Sequence, residues 1–406
     1  MGAAVARSVR TLWGALMRVT AYHLAPRGPM HFGGRGAGVE GSAEACRADT
    51  FFGALCHAVL DLEGDACLRA MLDAFLSGHA PFLVSSLFPR AGDVRFVPRP
   101  RLRAPIAVPP PTGVATASAT ATETRARKQG KQLRFVSWEV AAQAVAGGAV
   151  RSPAEDGANG VAGAVVGGAG DPRKGYAVWL SHGERGRLRA ANLWEEPAEK
   201  QVRDWWQAGS ATRVPRVTVD RETGASAIFH AGRLLFRPGA GLSVLFRWHD
   251  PSWRPIVERA LHLLGDTGIG GERAIGHGQF DVGATEEVDL SIPAGANGFV
   301  TLAPYCPTAA ELGTDVRDGV LGEGAAWDLA THGGWMGVPG VALRHATVTM
   351  LAEGSALRAP AGVDLATATF GQLLDVTPVG YDRHRVYRYG YAFPWPAVLP
   401  TEEVPA

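Results

Sequence analysis

The sequence predicts an α+β fold of tandem ferredoxin-like (RRM-like) units, with a C-terminal glycine-rich loop and irregular insertions. Three observations predict it. A strand, two helices and a strand follow one another between residues 17 and 89. A strand, helix, loop and strand alternation returns from about residue 212. A length of 406 residues with 46% hydrophobic content suits two domains or one large composite one. The expected division is 1–16, 17–211 and 212–406. The first piece reads as an N-terminal extension, either disordered or a misassigned start.

The elements follow in order. MRVTAYHL at 17–24 alternates as a strand. RADTFFGALCHAVLDLEG reads as a helix capped by Asp49 or Thr50, with Phe52, Leu55, Cys56, Val59 and Leu60 on one face. A second helix is expected over 65–76, then a buried strand in PFLVSSLFP. Residues 138–147 read as a short helix and 151–175 as a flexible insertion. Strands are expected at 214–220, 226–237 and 241–248. SWRPIVERALHLL at 252–264 then reads as a helix capped by Ser252, followed by strands near 279–290 and 298–305. Two four-stranded sheets side by side would leave one groove between them.

Between that helix and strand lies GDTGIGGERAIGHG, residues 265–278, in which six of fourteen residues are glycine. A dinucleotide fingerprint would need glycine where Arg273 stands. A P-loop would need lysine and a hydroxyl residue where His277 and Gly278 stand. Both motifs also run strand, loop, helix, and here the order is reversed. One or two glycines would suit a helix C-cap. Six, interleaved with Arg273 and His277, suggest a backbone surface that a ligand approaches.

The net charge of +1 gives no global sign of a polyanionic partner. One local cluster does. Residues 98–135 hold Arg99, Arg101, Arg103, Arg125, Arg127, Lys128, Lys131 and Arg134 against the single acid Glu123. A solvated linker and an arm that meets a polyanion both fit this segment. Cys46, Cys56, Cys67 and Cys306 have no C-x-x-C pairing and read as free thiols in a reducing cytoplasm. No apolar run reaches transmembrane length, and the N-terminus lacks the apolar stretch of a signal peptide. No cofactor, metal or membrane partner is expected.

A set of motifs runs in order along nearly the whole chain. It comprises GPMHFG (28–33), ADTFFGAL (48–55), PFLVSSLFPR (81–90), FVPRP (96–100), KQLRFVS (131–137), PRVTVDRETGAS (215–226), GRLLF (232–236) and GLSVLF (241–246). GIGGERAIGHGQFD (268–281), LAPYCPT (302–308), WDLATHGGWM (327–336), MLAEGSAL (350–357) and VYRYGYAFP (386–394) complete it. The pattern resembles the RAMP family of CRISPR RNA-binding subunits. Within that family it is similar to the subunit-four group of type III-A effectors, relatives of the Cas-five group. The glycine-rich loop alone marks only the family. PRVTVDR together with YRYGYAF is far more specific.

The resemblance implies a non-catalytic subunit that holds the 5′ handle of the crRNA. It implies contacts with the large signature subunit and a backbone RAMP subunit, and makes target RNA near the handle a further candidate partner. On this reading Gly270, Gly271, Gly276 and Gly278 line the RNA backbone and Arg273 forks onto a phosphate. The family commonly has Lys or Arg where His277 stands, so a weaker or pH-dependent contact is expected there. Arg216, Asp220 and Arg221 face the handle, with Asp220 orienting an arginine or a base edge. The alternative is a plain surface hairpin with Asp220 and Arg221 paired locally. Lys128, Lys131 and Arg134 of the arm would track RNA or reach a neighbouring subunit. His31 is expected to contact RNA without chemistry. The rival is a stand-alone repeat-processing endoribonuclease with His31 as general acid or base. A third reading is the equivalent subunit of another type III subtype. Tyr387, Tyr389 and Tyr391 could stack on bases, but a packed sheet face suits them better. The family pattern carries arginine where His332 stands, which puts any contact there in doubt. A wedge between guide and target bases is also implied, with no segment assigned to it.

Overall fold

The computed structural model describes residues 13–33, 42–102, 133–148, 161–166, 176–193, 206–207, 214–315, 318–336 and 343–401. Its strands begin with β1 (Trp13–Pro26), β2 (Phe82–Val84), β3 (Phe88–Ala91), β4 (Val94–Pro98), β5 (Leu133–Ser137), β6 (Val161–Val166) and β7 (Tyr176–Ser181). They continue with β8 (Trp206–Gln207), β9 (Val214–Val219), β10 (Ser226–Ala231), β11 (Leu235–Phe236), β12 (Ala240–Trp248) and β13 (Phe280–Pro293). One nine-stranded sheet takes most of these, in the order β13-β1-β12-β3-β4-β5-β7-β6, with β2 also on β12.

This corrects the expectation of two separate sheets. β1, from the first half of the chain, lies antiparallel between β12 and β13, both from the second. A cut near 212 therefore passes through a continuous sheet. The physical reason is burial. β1 keeps Val19 and Ala21 on one face and Tyr22 and Leu24 on the other, all buried, so it belongs in a sheet interior and needs a partner on each edge.

Helices cover the Tyr22 face. α1 (Ala48–Glu63) turns Phe51, Phe52, Leu55 and Val59 inward, and α2 (Asp65–Leu76) adds Met71 and Phe75. α3 (Trp138–Val145) and α4 (His182–Ala190) lie towards the other end of the sheet, and α5 (Arg254–Thr267) packs against α1 and β13. The Tyr22 hydroxyl donates to Glu258 on α5 at 2.7 Å. The Tyr22 and Phe51 rings both meet Phe246 of β12 edge-on, at 5.4 and 6.2 Å.

Local details differ from expectation in four places. α1 is not capped by Asp49 or Thr50. Its first N–H, from Ala48, donates to Ser86 Oγ at 2.9 Å, and Asp49 is buried in the first turn. PFLVSSLFP is two strands, β2 and β3, because Ser85 and Ser86 bond elsewhere: Ser85 Oγ accepts from Leu245 N–H and Ser86 Oγ donates to Glu353. Ser252 does not cap α5; Asp250 Oδ1 accepts from Ser252 N–H in a 3-10 turn, Pro251–Trp253, ahead of it. Inside the expected 151–175 insertion, β6 pairs antiparallel with β7 along its whole length.

The remaining strands are β14 (Gly298–Thr301), β15 (Leu329–His332), β16 (Val348–Leu351), β17 (Ala356–Arg358), β18 (Gly371–Asp375), β19 (Tyr387–Tyr391) and β20 (Pro394–Ala397). β14 is flanked by β17 and β20, while β15–β16 and β18–β19 form antiparallel pairs. Phe299, Tyr305, Leu357 and Phe370 make a small second core here. Tyr389 and Tyr391 are buried, and Tyr387 is packed against the main core at its edge. The Tyr389 hydroxyl accepts from Val84 N–H at 3.0 Å, and the Tyr391 hydroxyl donates to Phe75 O. These rings serve the core rather than base stacking. Among the described residues, no helix is long and apolar enough to cross a membrane.

Candidate nucleic-acid interface

The glycine-rich loop leaves the end of α5 and folds back onto the segment after β1. Gly271 N–H donates to His31 O at 2.9 Å, Gly278 N–H donates to Pro29 O at 2.9 Å, and Ile269 N–H donates to Gly278 O at 3.1 Å. The approach is close enough to require glycine. A Cβ on Gly270 would lie 2.3 Å from His31 O, and one on Gly278 would lie 2.2 Å from Ile269 O. Both residues also have positive φ, +90° and +85°. A Cβ on Gly271 would meet the His31 ring at 2.7 Å. The chain's own backbone and the His31 ring are thus what come near these three glycines. Gly276 differs: its φ is +85°, it is exposed, and a Cβ added to it would meet nothing within 4 Å.

Two clusters distant in sequence meet at this loop. Arg216 on β9 reaches Glu272 with an ion-pair distance of 3.1 Å. Glu272 itself sits in the left-handed region at φ 62°, one of the few described non-glycine residues that do so. Arg273, next in sequence, is exposed and opens a 3-10 turn, Arg273–Ile275. The structure therefore gathers Arg216, Arg273 and Gly276 on one surface.

The two histidines lie beneath it. His31 is 4% exposed, and its Nδ1 is 2.6 Å from Gly232 O. It stands as a strut between the loop and the β10–β11 connection. His277 is also buried, not displayed between the last glycines as expected. Burial lowers its pKa below the ordinary value, and the charges of Arg216 and Arg233 push the same way against Glu272. Its Nδ1 has no hydrogen-bond partner.

β9 and β10 form a two-stranded hairpin beyond Arg216. Asp220 shapes its turn: Oδ1 accepts from Glu222 N–H and Thr223 N–H, each at 2.8 Å. Those backbone bonds hold its carboxyl below the usual range. Asp220 thus neither orients an arginine nor pairs with Arg221, which is exposed at the tip. Val217, Val219 and Ile228 share one hairpin face and are more than half exposed. Arg134, on β5, pairs with Glu44 at 2.8 Å. Lys128 and Lys131 lie outside the described residues. Sequence reasoning missed Glu272 and Arg233. Glu272 had a signal, a charged residue inside a glycine run, but nothing in sequence pairs it with Arg216.

The comparisons with known proteins bear on this arrangement. Residues 295–397 match the family model described as the CRISPR Csm4 C-terminal domain. A Csm4 protein of a CRISPR system from Thermococcus onnurineus (strain NA1) is 26% identical over 354 residues, covering 87% of this chain and 92% of the relative. Over most of its length the chain is thus similar to a Csm4 protein, and its C-terminal quarter carries the Csm4 domain match. Among solved structures, a Csm3–Csm4 subcomplex of the type III-A CRISPR–Cas interference complex matches over 93% of this chain and 99% of that one, with TM-score 0.57 and 14% identity. A Csm1–Csm4 cassette in complex with cA4 matches over 94% and 99%, with TM-score 0.51 and 20% identity. At that identity these two show the fold, a mixed α+β architecture built on a large sheet.

Proposed function

We propose that this chain is a non-catalytic, crRNA-binding subunit of a type III-A CRISPR interference complex, acting in the cytoplasm. It holds the 5′ handle and touches both the large signature subunit and a backbone RAMP subunit. The partner assignments rest on its relatives, which are found as Csm1–Csm4 and Csm3–Csm4 assemblies. The observation that carries the RNA reading is the Arg216–Glu272 bridge, which docks the hairpin against the glycine-rich loop. It makes one surface from two segments that each carry exposed arginine. Arg273 and Arg221 offer phosphate contacts along it. The exposed apolar face of Val217, Val219 and Ile228 suits insertion between unstacked bases, so the hairpin takes the wedge role. Gly276 is the one loop glycine left for close backbone approach among those named for it.

His31 supports the non-catalytic reading. It is buried, with one ring nitrogen on a carbonyl and its own carbonyl on the loop, so its ring is not offered to a ribose 2′-OH. The test is a binding and cleavage assay with labelled handle RNA and labelled repeat RNA at two salt concentrations. Handle RNA should bind and stay intact. Arg216→Ala, Arg221→Ala and Arg273→Ala should each weaken binding about 5- to 10-fold and flatten its salt dependence. Metal-free cleavage within the repeat that disappears in His31→Ala would overturn the reading.

A further inference from the structure

A second cluster of cations lies away from the glycine loop, where the start of α1 meets β15, β16 and β19. Asp49 is buried at its centre, and Glu353 lies at its edge, accepting from Ser86 Oγ at 2.7 Å. Asp49 Oδ2 receives His332 Nδ1 at 2.9 Å and Arg388 Nη1 as well. His332 Nε2 lies 3.5 Å from Arg47 Nη1. Trp335 is bridged to Arg344, whose guanidinium carbon sits 4.6 Å from the indole centroid. His345 follows, with Nε2 3.1 Å from Trp335 O. Gly334 ties the two groups together, since a Cβ on it would stand 4.0 Å from Arg388 Nη2.

Three features of this cluster call for a ligand. The cations outnumber the acids: Arg47 and Arg344 form no ion pair among the described residues, and the Asp49 carboxylate is already shared by His332 and Arg388. Burial and then the charge of Arg388 lower the pKa of His345, against the Trp335 carbonyl and Asp49. Arg388 Nε and His345 Nδ1 are buried without hydrogen-bond partners. Trp335, meanwhile, is 56% exposed although it is a large aromatic ring.

We propose that Trp335, Arg344 and Arg47 form a second contact for single-stranded RNA, in which a base stacks on Trp335 and the flanking phosphates meet Arg344 and Arg47. This rests on the reading of the chain as an RNA-binding subunit, and names where the strand goes after the handle site. A flat ring backed by a guanidinium suits any base, because every base has a π-face. A group in which cations outnumber acids suits phosphate better than an ordinary protein surface of mixed sign. The two sites also lie close. Phe32, which leans on Gly270, donates its N–H to Ser42 Oγ at 3.0 Å. From Ser42 to Arg47 the chain spans at most about 17 Å.

The test uses the full chain and two fluorescently labelled single-stranded RNAs, one no longer than the handle and one extended by about a dozen nucleotides. Trp335→Ala and Arg344→Ala should bind the extended RNA about tenfold more weakly and the short RNA as before. Trp335→Phe should restore most of the loss. Arg216→Ala should weaken both RNAs. Because Trp335 and Arg344 are exposed, thermal unfolding should be unchanged, which separates lost contact from lost fold. Wild-type affinity of Trp335→Ala for the extended RNA, with Arg216→Ala still impaired, would overturn this contact and leave the handle reading standing. Normal RNA binding with lost capture of the large subunit would make the patch a protein interface instead, and overturn it too. Failure of the unaltered chain to bind either RNA would remove both readings.

Discussion

At the residue scale, the most informative side chain is Asp49. In sequence it is an ordinary acid in the first turn of a helix, where it serves as a cap or complements the helix dipole. In the fold it is a buried anion. Burial alone would raise its pKa, but His332 and Arg388 outweigh that and hold the carboxyl well below its usual range. His332 thereby has a structural role of its own, since Nδ1 reaches Asp49 Oδ2 directly. Asp49→Asn would leave Arg388 buried beside a neutral group. It should cost about 3 kcal/mol, seen as a lower urea midpoint, because breaking a buried pair strands the remaining charge. The double variant Asp49→Asn/Arg388→Met should recover part of that loss; equal additive losses would show that the two are not coupled. His23 makes a separate prediction. Burial, then the charges of Arg90 and Arg95, lower its pKa from 6.5 to about 4, against the pull of Glu286. The unfolded chain therefore binds more protons between those values. Stability present above pH 6.5 is lost as pH falls towards 4. His23→Asn should flatten the fall in melting temperature between pH 7 and 5, and an unchanged slope would assign the acid sensitivity elsewhere.

At the element scale, the glycine-rich loop shows what a sequence can and cannot say. Six glycines announce a close approach, but glycine does not reveal which side the neighbour comes from. Here the neighbour is the protein's own backbone, at His31 for Gly270 and at Ile269 for Gly278. The His31 contact joins segments far apart in the chain, so no local pattern carries it. The helices were legible for the opposite reason. Ala48–Glu63, Asp65–Leu76 and Arg254–Thr267 each bury one face, and a buried face writes itself into spacing every three to four residues. The hairpin was legible as two strands, but the Arg216–Glu272 bridge that makes it part of a site was not. The loop's two kinds of glycine can be separated by experiment. Gly278→Ala pushes a Cβ into Ile269 O and should destabilise the fold by about 3 kcal/mol or more. Gly276→Ala meets no neighbour, so only its positive φ is penalised, about 1 kcal/mol. If RNA approaches there, the Gly276 variant should lose affinity while staying folded. Equal stability of the two variants in urea would mean that the loop yields easily and that its glycines are not held by packing.

At the scale of the whole molecule, the C-terminal segment is stitched into the rest rather than attached to it. Residues 295–397 match a family domain, yet their strands complete the main core. Tyr389 packs on Phe52 at 4.9 Å and on Phe75 at 6.1 Å, and its hydroxyl satisfies Val84 N–H. Trp395 stacks on Trp138 of α3 at 4.3 Å, and Val398 N–H donates to Val145 O at 2.8 Å. β1 repeats the pattern in reverse, an N-terminal strand held between two late ones. Such interleaving makes local opening a shared event, because no segment can leave without exposing apolar surface on its partner. Tyr389→Ala should therefore cost about 3–5 kcal/mol, and its effect should spread. Hydrogen exchange should speed up in 82–91 as well as in 387–397, by similar factors, since both segments lose the same ring. A weaker variant separates the bond from the bulk. Tyr389→Phe keeps the ring but leaves Val84 N–H without its acceptor, so exchange should rise chiefly at β2 for a cost of about 1–3 kcal/mol. Exchange confined to 387–397 in the alanine variant would mean that the C-terminal strands open alone, as a domain docked on a finished core.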